Sequence, residues 1–149
     1  MRAVIQRVSS ASVFVEGEII SSIGRGLLIL AGFHRDDKTS DCEYIINKSI
    51  GLRIFEDANG LMNLSVTDIG GDILVVSQFT LYADSRAGKR PSFSTSMPSN
   101  EAAVFYDSFI KKFKESFNSL KCGVFGADME VKLTNSGPVT ILLDSSKIF

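Results

Sequence analysis

Two short stretches combine hydroxyl, amide and glycine residues in ways that polar chemistry can use: Ser77-Gln78-Phe79-Thr80-Leu81-Tyr82 and Asn135-Ser136-Gly137-Pro138-Val139-Thr140. In the first, polar side chains close an otherwise apolar run. On an extended backbone Ser77, Phe79 and Leu81 share one face, and Gln78, Thr80 and Tyr82 the other. Taken alone, this pattern reads as an edge strand with ordinary polar residues. In the second stretch, proline removes a ladder donor and the preceding glycine lets the backbone approach a ligand closely. Taken alone, it reads as a plain turn between two strands.

Other chemistries have less to work with. His34 is the one histidine, set in Phe33-His34-Arg35-Asp36-Asp37 after an apolar run, where a solvated loop is expected. A Ser-His-Asp or Cys-His relay would have to use it, and no GxSxG elbow precedes any serine. Cys42 and Cys122 lie far apart without CxxC spacing, which argues against a disulfide framework or structural zinc and for reduced thiols. Gly24-Arg25-Gly26 and Gly70-Gly71 lack the context of a phosphate loop or dinucleotide fingerprint, so turns explain them. No metal and no cofactor is expected. A catalyst built here must rely on backbone donors, hydroxyls and the substrate itself.

The elements that would position these residues follow from periodicity. Residues 2 to 8 and 11 to 15 are rich in β-branched side chains, and Glu16-Gly17-Glu18 reads as the turn of a hairpin. Residues 26 to 33 (GLLILAGF) are continuously apolar, as in a strand covered on both faces. Ser40-Asp41-Cys42-Glu43 has the form of a capping box, and Cys42, Ile45, Ile46, Ser49 and Ile50 recur at helical spacing, so a helix is expected over about 40 to 52. Asn59-Gly60 signals a turn. Residues 72 to 82 read as a second buried strand entering the polar loop ADSRAGKRPSFSTSMPS.

After Pro98, Ser99 or Asn100 can cap a longer helix in which Phe105, Phe109, Phe113 and Phe117 repeat every four residues and belong to the core. Residues 129 to 134 and 139 to 143 close the chain as strands joined through Asn135-Ser136-Gly137-Pro138. Many β-segments and two helices predict a mixed α/β fold: a strongly curved, barrel-like sheet with the helices packed outside. At 149 residues, a single domain over 1 to 149 is expected, long enough to bury a core without staples. The net charge of −1 supplies no general basic field, so a polyanion must meet a local basic patch. The longest apolar run, Leu27 to Ala31, is too short to span a membrane, and the opening residues lack the apolar core of a secretory leader. A cytoplasmic protein is expected.

SQFTLYA, the GKRPSF loop after it, Phe125-Gly126-Ala127-Asp128-Met129, NSGPVT and the opening MRAVIQRVSSASV together resemble the D-aminoacyl-tRNA deacylase (D-tyrosyl-tRNA deacylase) family along the whole chain. One position departs from the pattern: Ala87 stands where the family often carries a basic residue before the loop glycine. The resemblance implies a homodimer with shared active sites, in which a cis Gly137-Pro138 pair enters the partner's site and forms a chiral gate. It implies that Ser77, Gln78, Phe79 and Thr80 line the reaction centre. Phe125 and Met129 look like the pocket for the terminal adenine, and Arg7 like a support for the Gly-Pro segment. Arg86, Lys89 and Arg90 look like tRNA contacts.

The implied reaction is hydrolysis of an aminoacyl ester, which needs a placed water and oxyanion donors; the N–H groups of Phe79 and Thr80 suit the latter. The ribose 2′-hydroxyl beside the ester is the expected aid to water activation. Thr80 Oγ as nucleophile ranks lower, because no base adjoins it in sequence. A gate built of main chain would take the substrate amino group on the Gly137 carbonyl and leave no room for an L side chain, while admitting glycyl-tRNA. Two alternatives stay open: a related deacylase editing L-alanine or glycine through a wider gate, and a nucleic-acid-binding module without catalysis.

Overall fold

A computed structural model of the chain describes residues 1–148. The first strand, β1 (Arg2–Val15), is one 14-residue element rather than two strands interrupted at Ser9 and Ser10. Both serines are exposed, yet the ladder crosses them because one long partner follows the same edge. That partner is β8 (Glu130–Asp144), antiparallel to β1 from Arg2↔Asp144 to Phe14↔Glu130. On the other edge of β1, β2 (Glu18–Ile23) pairs with its second half and β3 (Gly26–Gly32) with its first. The β1–β2 hairpin turns at Glu16 and Gly17, both at positive φ, as expected.

Strands β3, β6 (Asp72–Ser77) and β7 (Leu120–Cys122) run parallel, so each connection needs a crossover. The first contains α1 (Thr39–Gly51) and the short hairpin of β4 (Phe55–Glu56) and β5 (Met62–Leu64); the second contains α2 (Ser99–Ser116). The sheet order is β2-β1-β3-β6-β7, with β8 on the remaining edge of β1. Its two ends meet through side chains: Ser21 Oγ donates to the Cys122 carbonyl at 3.0 Å, and Lys121 Nζ to the Ser22 carbonyl at 2.6 Å. The result is the expected mixed α/β fold, a nearly closed barrel-like sheet with two α-helices outside.

Continuous apolarity in β3 and β6 reflects two separate burials. Leu27, Ile29, Ala31, Ile73 and Val75 face the helices, where they pack with Ile45 and Ile46 of α1 and Phe109 and Phe113 of α2. Leu28, Leu74 and Val76 point the other way, into a barrel interior filled by Val8, Ala11, Val13 and Ile23. Phe109, Phe113 and Phe117 are buried and Phe105 half-buried, so the four-residue aromatic repeat is core.

Element ends differ from the sequence expectation. Helix α1 is capped two residues earlier than expected: Asp41 accepts from the Lys38 N–H at 2.7 Å, so the box closes on Lys38 instead of Ser40. Helix α2 begins at Ser99, with the Pro98 carbonyl accepting from Ala102 and neither Ser99 nor Asn100 acting as a side-chain cap. The strand expected over 72 to 82 stops at Ser77. Its partner β3 ends at Gly32, so no ladder is left to follow; the Gln78 N–H makes a last bond to Ala31 O at 2.7 Å. Phe79–Tyr82 then forms a 3₁₀ turn, which abolishes the expected alternation of faces across SQFTLY.

Candidate active site

The carboxyl ends of parallel strands are where open α/β sheets place their ligands, and here β6 delivers Ser77, Gln78 and Phe79 to that position. A cavity of about 680 Å³ opens there, lined by these three residues and by Phe93, Phe125 and Met129 among others. Gly32, at the end of β3, is what lets the strands approach so closely: a Cβ there would stand 2.7 Å from the Gln78 carbonyl oxygen. Ser96 Oγ donates to the Phe79 carbonyl at 3.2 Å, and the Phe93 ring meets Phe79 edge-on at 5.0 Å. Gly32, Phe93 and Ser96 carry no signal of their own in the sequence, since an apolar run and a serine-rich loop hide them equally well.

The far wall comes from the segment between β7 and β8. Phe125 packs on Tyr106 of α2 at 5.4 Å between ring centroids, and Tyr106 in turn on Phe33. The wall is therefore seated on the core. Phe125 and Met129 face the cavity together with Ser77–Phe79, although some fifty residues separate them in sequence. Such a surface can hold a flat aromatic group.

At the start of the 3₁₀ turn, the N–H groups of Phe79 and Thr80 have no acceptor among the described residues, as first-turn donors generally lack one inside their own helix. Thr80 is exposed and does not line the cavity; its Oγ accepts from Gln78 Nε2. No histidine stands by it. His34 is half-buried rather than solvated, its ring 5.3 Å from that of Tyr82 and its Nδ1 accepting from the Asp36 N–H at 3.2 Å. Burial pushes the Cys42 thiol up to about 12, which leaves it protonated and unreactive at neutral pH. Among the described residues, no three His, Cys, Asp or Glu side chains converge at ligand spacing, and no helix is long and apolar enough to cross a membrane.

Gly137 and Pro138 lie elsewhere. They belong to no turn between strands but sit within the single strand β8, where Gln6 pairs with Thr140 and Val8 with Asn135. Two steps along β1 thus match five along β8, and the surplus forms a loop with Gly137 and Pro138 exposed at its tip and Val139 buried at its base. Asn135 clamps its neck, its Oδ1 accepting from the Val139 N–H at 2.8 Å and its Nδ2 donating to the Val139 carbonyl at 3.2 Å. Buried Arg7 holds it from beneath, donating from Nε to the Ser136 carbonyl at 2.9 Å and from Nη1 to the Ile54 carbonyl at 2.6 Å. The Gly137-Pro138 peptide is cis, and Gly137 has φ +125°. Neither residue lines the large cavity of its own chain.

Arg86, Lys89 and Arg90 are exposed on the loop leading to α2, which is pinned by mutual backbone bonds of Asp84 and Ser92. Arg86 is already engaged: it donates to Asp84 at 2.9 and 2.7 Å, and those bonds hold the Asp84 carboxyl well below the usual carboxylate range. Lys89 and Arg90 form no ion pair among the described residues.

The barrel-like α/β fold thus carries an aromatic-walled cleft beside main-chain donors that have no acceptor among the described residues, and comparison with known proteins says which class of protein this is. Residues 4–144 match the family model described as D-Tyr-tRNA(Tyr) deacylase. Proteins named D-aminoacyl-tRNA deacylase from Thermosipho melanesiensis and Thermotoga petrophila are each 54% identical to this chain, and one from Clostridium botulinum is 52% identical, with all of both chains covered in every case. A solved structure described as a c-Myc DNA unwinding element binding protein superposes with a TM-score of 0.92 at 44% identity, covering 97% of this chain and 98% of that one. A probable eukaryotic D-amino acid tRNA deacylase shares the fold, with a TM-score of 0.79 at 18% identity over 95% and 97% of the two chains. The chain belongs to the D-Tyr-tRNA(Tyr) deacylase family, and with it to the hydrolases of the aminoacyl-tRNA ester bond.

Proposed function

We propose that this chain, acting as one domain in the cytoplasm, hydrolyses the ester between tRNA and a D-amino acid, admits glycyl-tRNA, and rejects L-aminoacyl esters. The observation that carries the reading is the meeting of Ser77, Gln78 and Phe79 with Phe125 and Met129 in one cavity, where the main-chain N–H of Phe79 and that of the adjoining Thr80 have no acceptor among the described residues. In this reading Phe125 and Met129 take the terminal adenine, which brings the ester to the start of the 3₁₀ turn. The Phe79 and Thr80 N–H groups receive the oxyanion; such a donor is typically worth about 2.7 to 4 kcal/mol of barrier. An aminoacyl ester is already activated, so a water assisted by the neighbouring ribose 2′-hydroxyl suffices. Thr80 Oγ is a poor nucleophile here, since its hydrogen-bond partner is an amide and not a base.

The gate in this reading is the Gly137-Pro138 loop of a second copy. Its exposure, its absence from the lining of its own chain's cavity, and the exposed Leu133 and Leu142 on either side of it along β8 support a homodimer in which each site is completed by its partner. Lys89 and Arg90, aided less by the neutralised Arg86, contact tRNA phosphates. A main-chain gate selects by exclusion: with the substrate amino group on the Gly137 carbonyl, an L side chain meets backbone that cannot rotate away.

Single-turnover hydrolysis of D-, L- and glycyl-tRNA, each with the terminal 2′-hydroxyl present or replaced by hydrogen, tests the reading. D- and glycyl esters should turn over at least 100-fold faster than L-esters, and loss of the hydroxyl should slow them by at least as much. Equal rates with and without the hydroxyl would rule out substrate assistance. Equal rates for D- and L-esters would remove the gate.

A further inference from the structure

A second, smaller cavity of about 170 Å³ lies beneath the Gly137-Pro138 loop, lined by Arg7, Val8, Ser9, Arg25, Phe55, Glu56 and Ser136. We propose that it is a binding site for a phosphate-type oxyanion held between the Arg7 and Arg25 guanidinium groups. The inference does not depend on the deacylase reading, although Arg7 and Ser136 also hold the loop that serves there as the gate.

Two arginines line a space well below the roughly 300 Å³ at which small-molecule pockets begin, a size suited to a small anion. Arg7 is buried, and its Nε and Nη1 are taken by carbonyls. Its Nη2 is not: the nearest acid is Glu56, at 3.8 Å and so beyond hydrogen-bond reach, on a side chain 58% exposed. Arg25 rests over the Phe55 ring, 5.6 Å from its centroid, and has no acidic partner among the described residues. The Ser9 hydroxyl, exposed at the rim, has no hydrogen-bond partner among them either. Arg7 thus offers one free donor nitrogen, while the whole planar fork of Arg25 can take phosphate oxygens two at a time. Glu56 is then the internal competitor, loosely held and displaced outward when the anion enters.

Phosphate can come from a nucleic-acid backbone or from solution, and the experiment separates the two. The unfolding midpoint of the whole protein is followed as inorganic phosphate rises, against sodium chloride at matched ionic strength; a ligand bound only by the folded state raises it by mass action. The parent should respond to phosphate beyond chloride. Arg25→Gln should weaken the apparent phosphate affinity at least fivefold, and Glu56→Gln should strengthen it several-fold. If the parent shows no excess response, or Arg25→Gln responds like the parent, the site is refuted. In parallel, the salt dependence of tRNA binding is compared for parent and Arg25→Gln. A slope reduced by about one identifies the backbone of the nucleic acid as the source of the bound phosphate. An unchanged slope together with the phosphate effect identifies free phosphate. If the parent does not hydrolyse D-aminoacyl-tRNA yet keeps its phosphate response, the proposed D-selective reading fails and this site stands.

Discussion

The cavity at the end of β6 and the Gly137-Pro138 loop both depend on main chain held in place, yet they are fixed in opposite ways. The cavity is concave and seated on the core: Gly32 admits the Gln78 carbonyl, Ser96 holds Phe79, and the Phe125 wall rests on Tyr106 and Phe33. The loop is convex and exposed, held only at its neck by Asn135 and from beneath by Arg7. One region presents a surface that receives something; the other presents a surface that must be received. Rigidity reaches the first through packing and the second through hydrogen bonds to carbonyls, so the two should fail differently.

The largest effect is expected in the cavity. Gly32→Ala would place a methyl group 2.7 Å from a backbone oxygen that no side-chain rotation can relieve. A shift of about 1 Å in the Ser77–Phe79 segment should cut hydrolysis of D-esters roughly 100-fold while leaving the ratio of D to L rates near that of the parent. Gly137→Ala should do the reverse. At φ +125° and 2.6 Å from Arg7 Nη2 the substitution carries about 1 to 3 kcal/mol of backbone strain, and the loop should move. Activity on D-esters should fall only about tenfold, but the D-to-L ratio should fall with it. If both variants change rate and ratio alike, the division of labour between the two regions is wrong.

Arg7→Ala comes next, and its first readout is stability. It leaves the Ser136 and Ile54 carbonyls without their donor, which should cost about 1 to 3 kcal/mol. For a chain of this length that is a fall of roughly 2 to 12 °C in unfolding midpoint. A midpoint unchanged within 1 °C would show that the loop does not lean on Arg7 as its hydrogen bonds imply.

Smaller still is the effect of the basic loop. Replacing Lys89 and Arg90 by Gln should flatten the salt dependence of tRNA binding by about 0.7 to 0.9 for each phosphate that is no longer neutralised, whereas Arg86→Gln should change it less because Asp84 already neutralises that charge. A larger change for Arg86 than for the other two would overturn this order.

The smallest expected effect is local and set by pH. The Asp57 carboxylate accepts from the N–H groups of Asn59 and Leu61, and these bonds lower its pKa from 3.8. Its stabilisation of the β4–β5 hairpin is therefore present above 3.8 and is lost as pH falls through the lower folded value. Amide exchange at Asn59 and Leu61, corrected for intrinsic rates, should accelerate at low pH in the parent and show no such step in Asp57→Asn. Equal protection across that range would leave the hairpin turn without its proposed anchor.

Much of this was legible in the residues themselves. Continuous apolarity marked β3 and β6 as covered on both faces, a four-residue aromatic repeat marked the buried face of α2, and the lone His34 disfavoured a histidine relay. These are local signals, because periodicity is carried within one element. What the sequence could not contain was relation between elements. SQFTLY reads as strand by composition, but it turns at Gln78 because β3 has ended and no ladder remains. NSGPVT reads as a turn, but it is a loop within one strand because β1 runs unbroken past Ser9 and Ser10 and pairs with β8 on both sides of the shift in register. Phe125 and Met129 reach the Ser77–Phe79 segment, and Gly137 does not, for the same reason: pairing partners far apart in the chain decide where a residue points, and only the closed sheet brings those partners together.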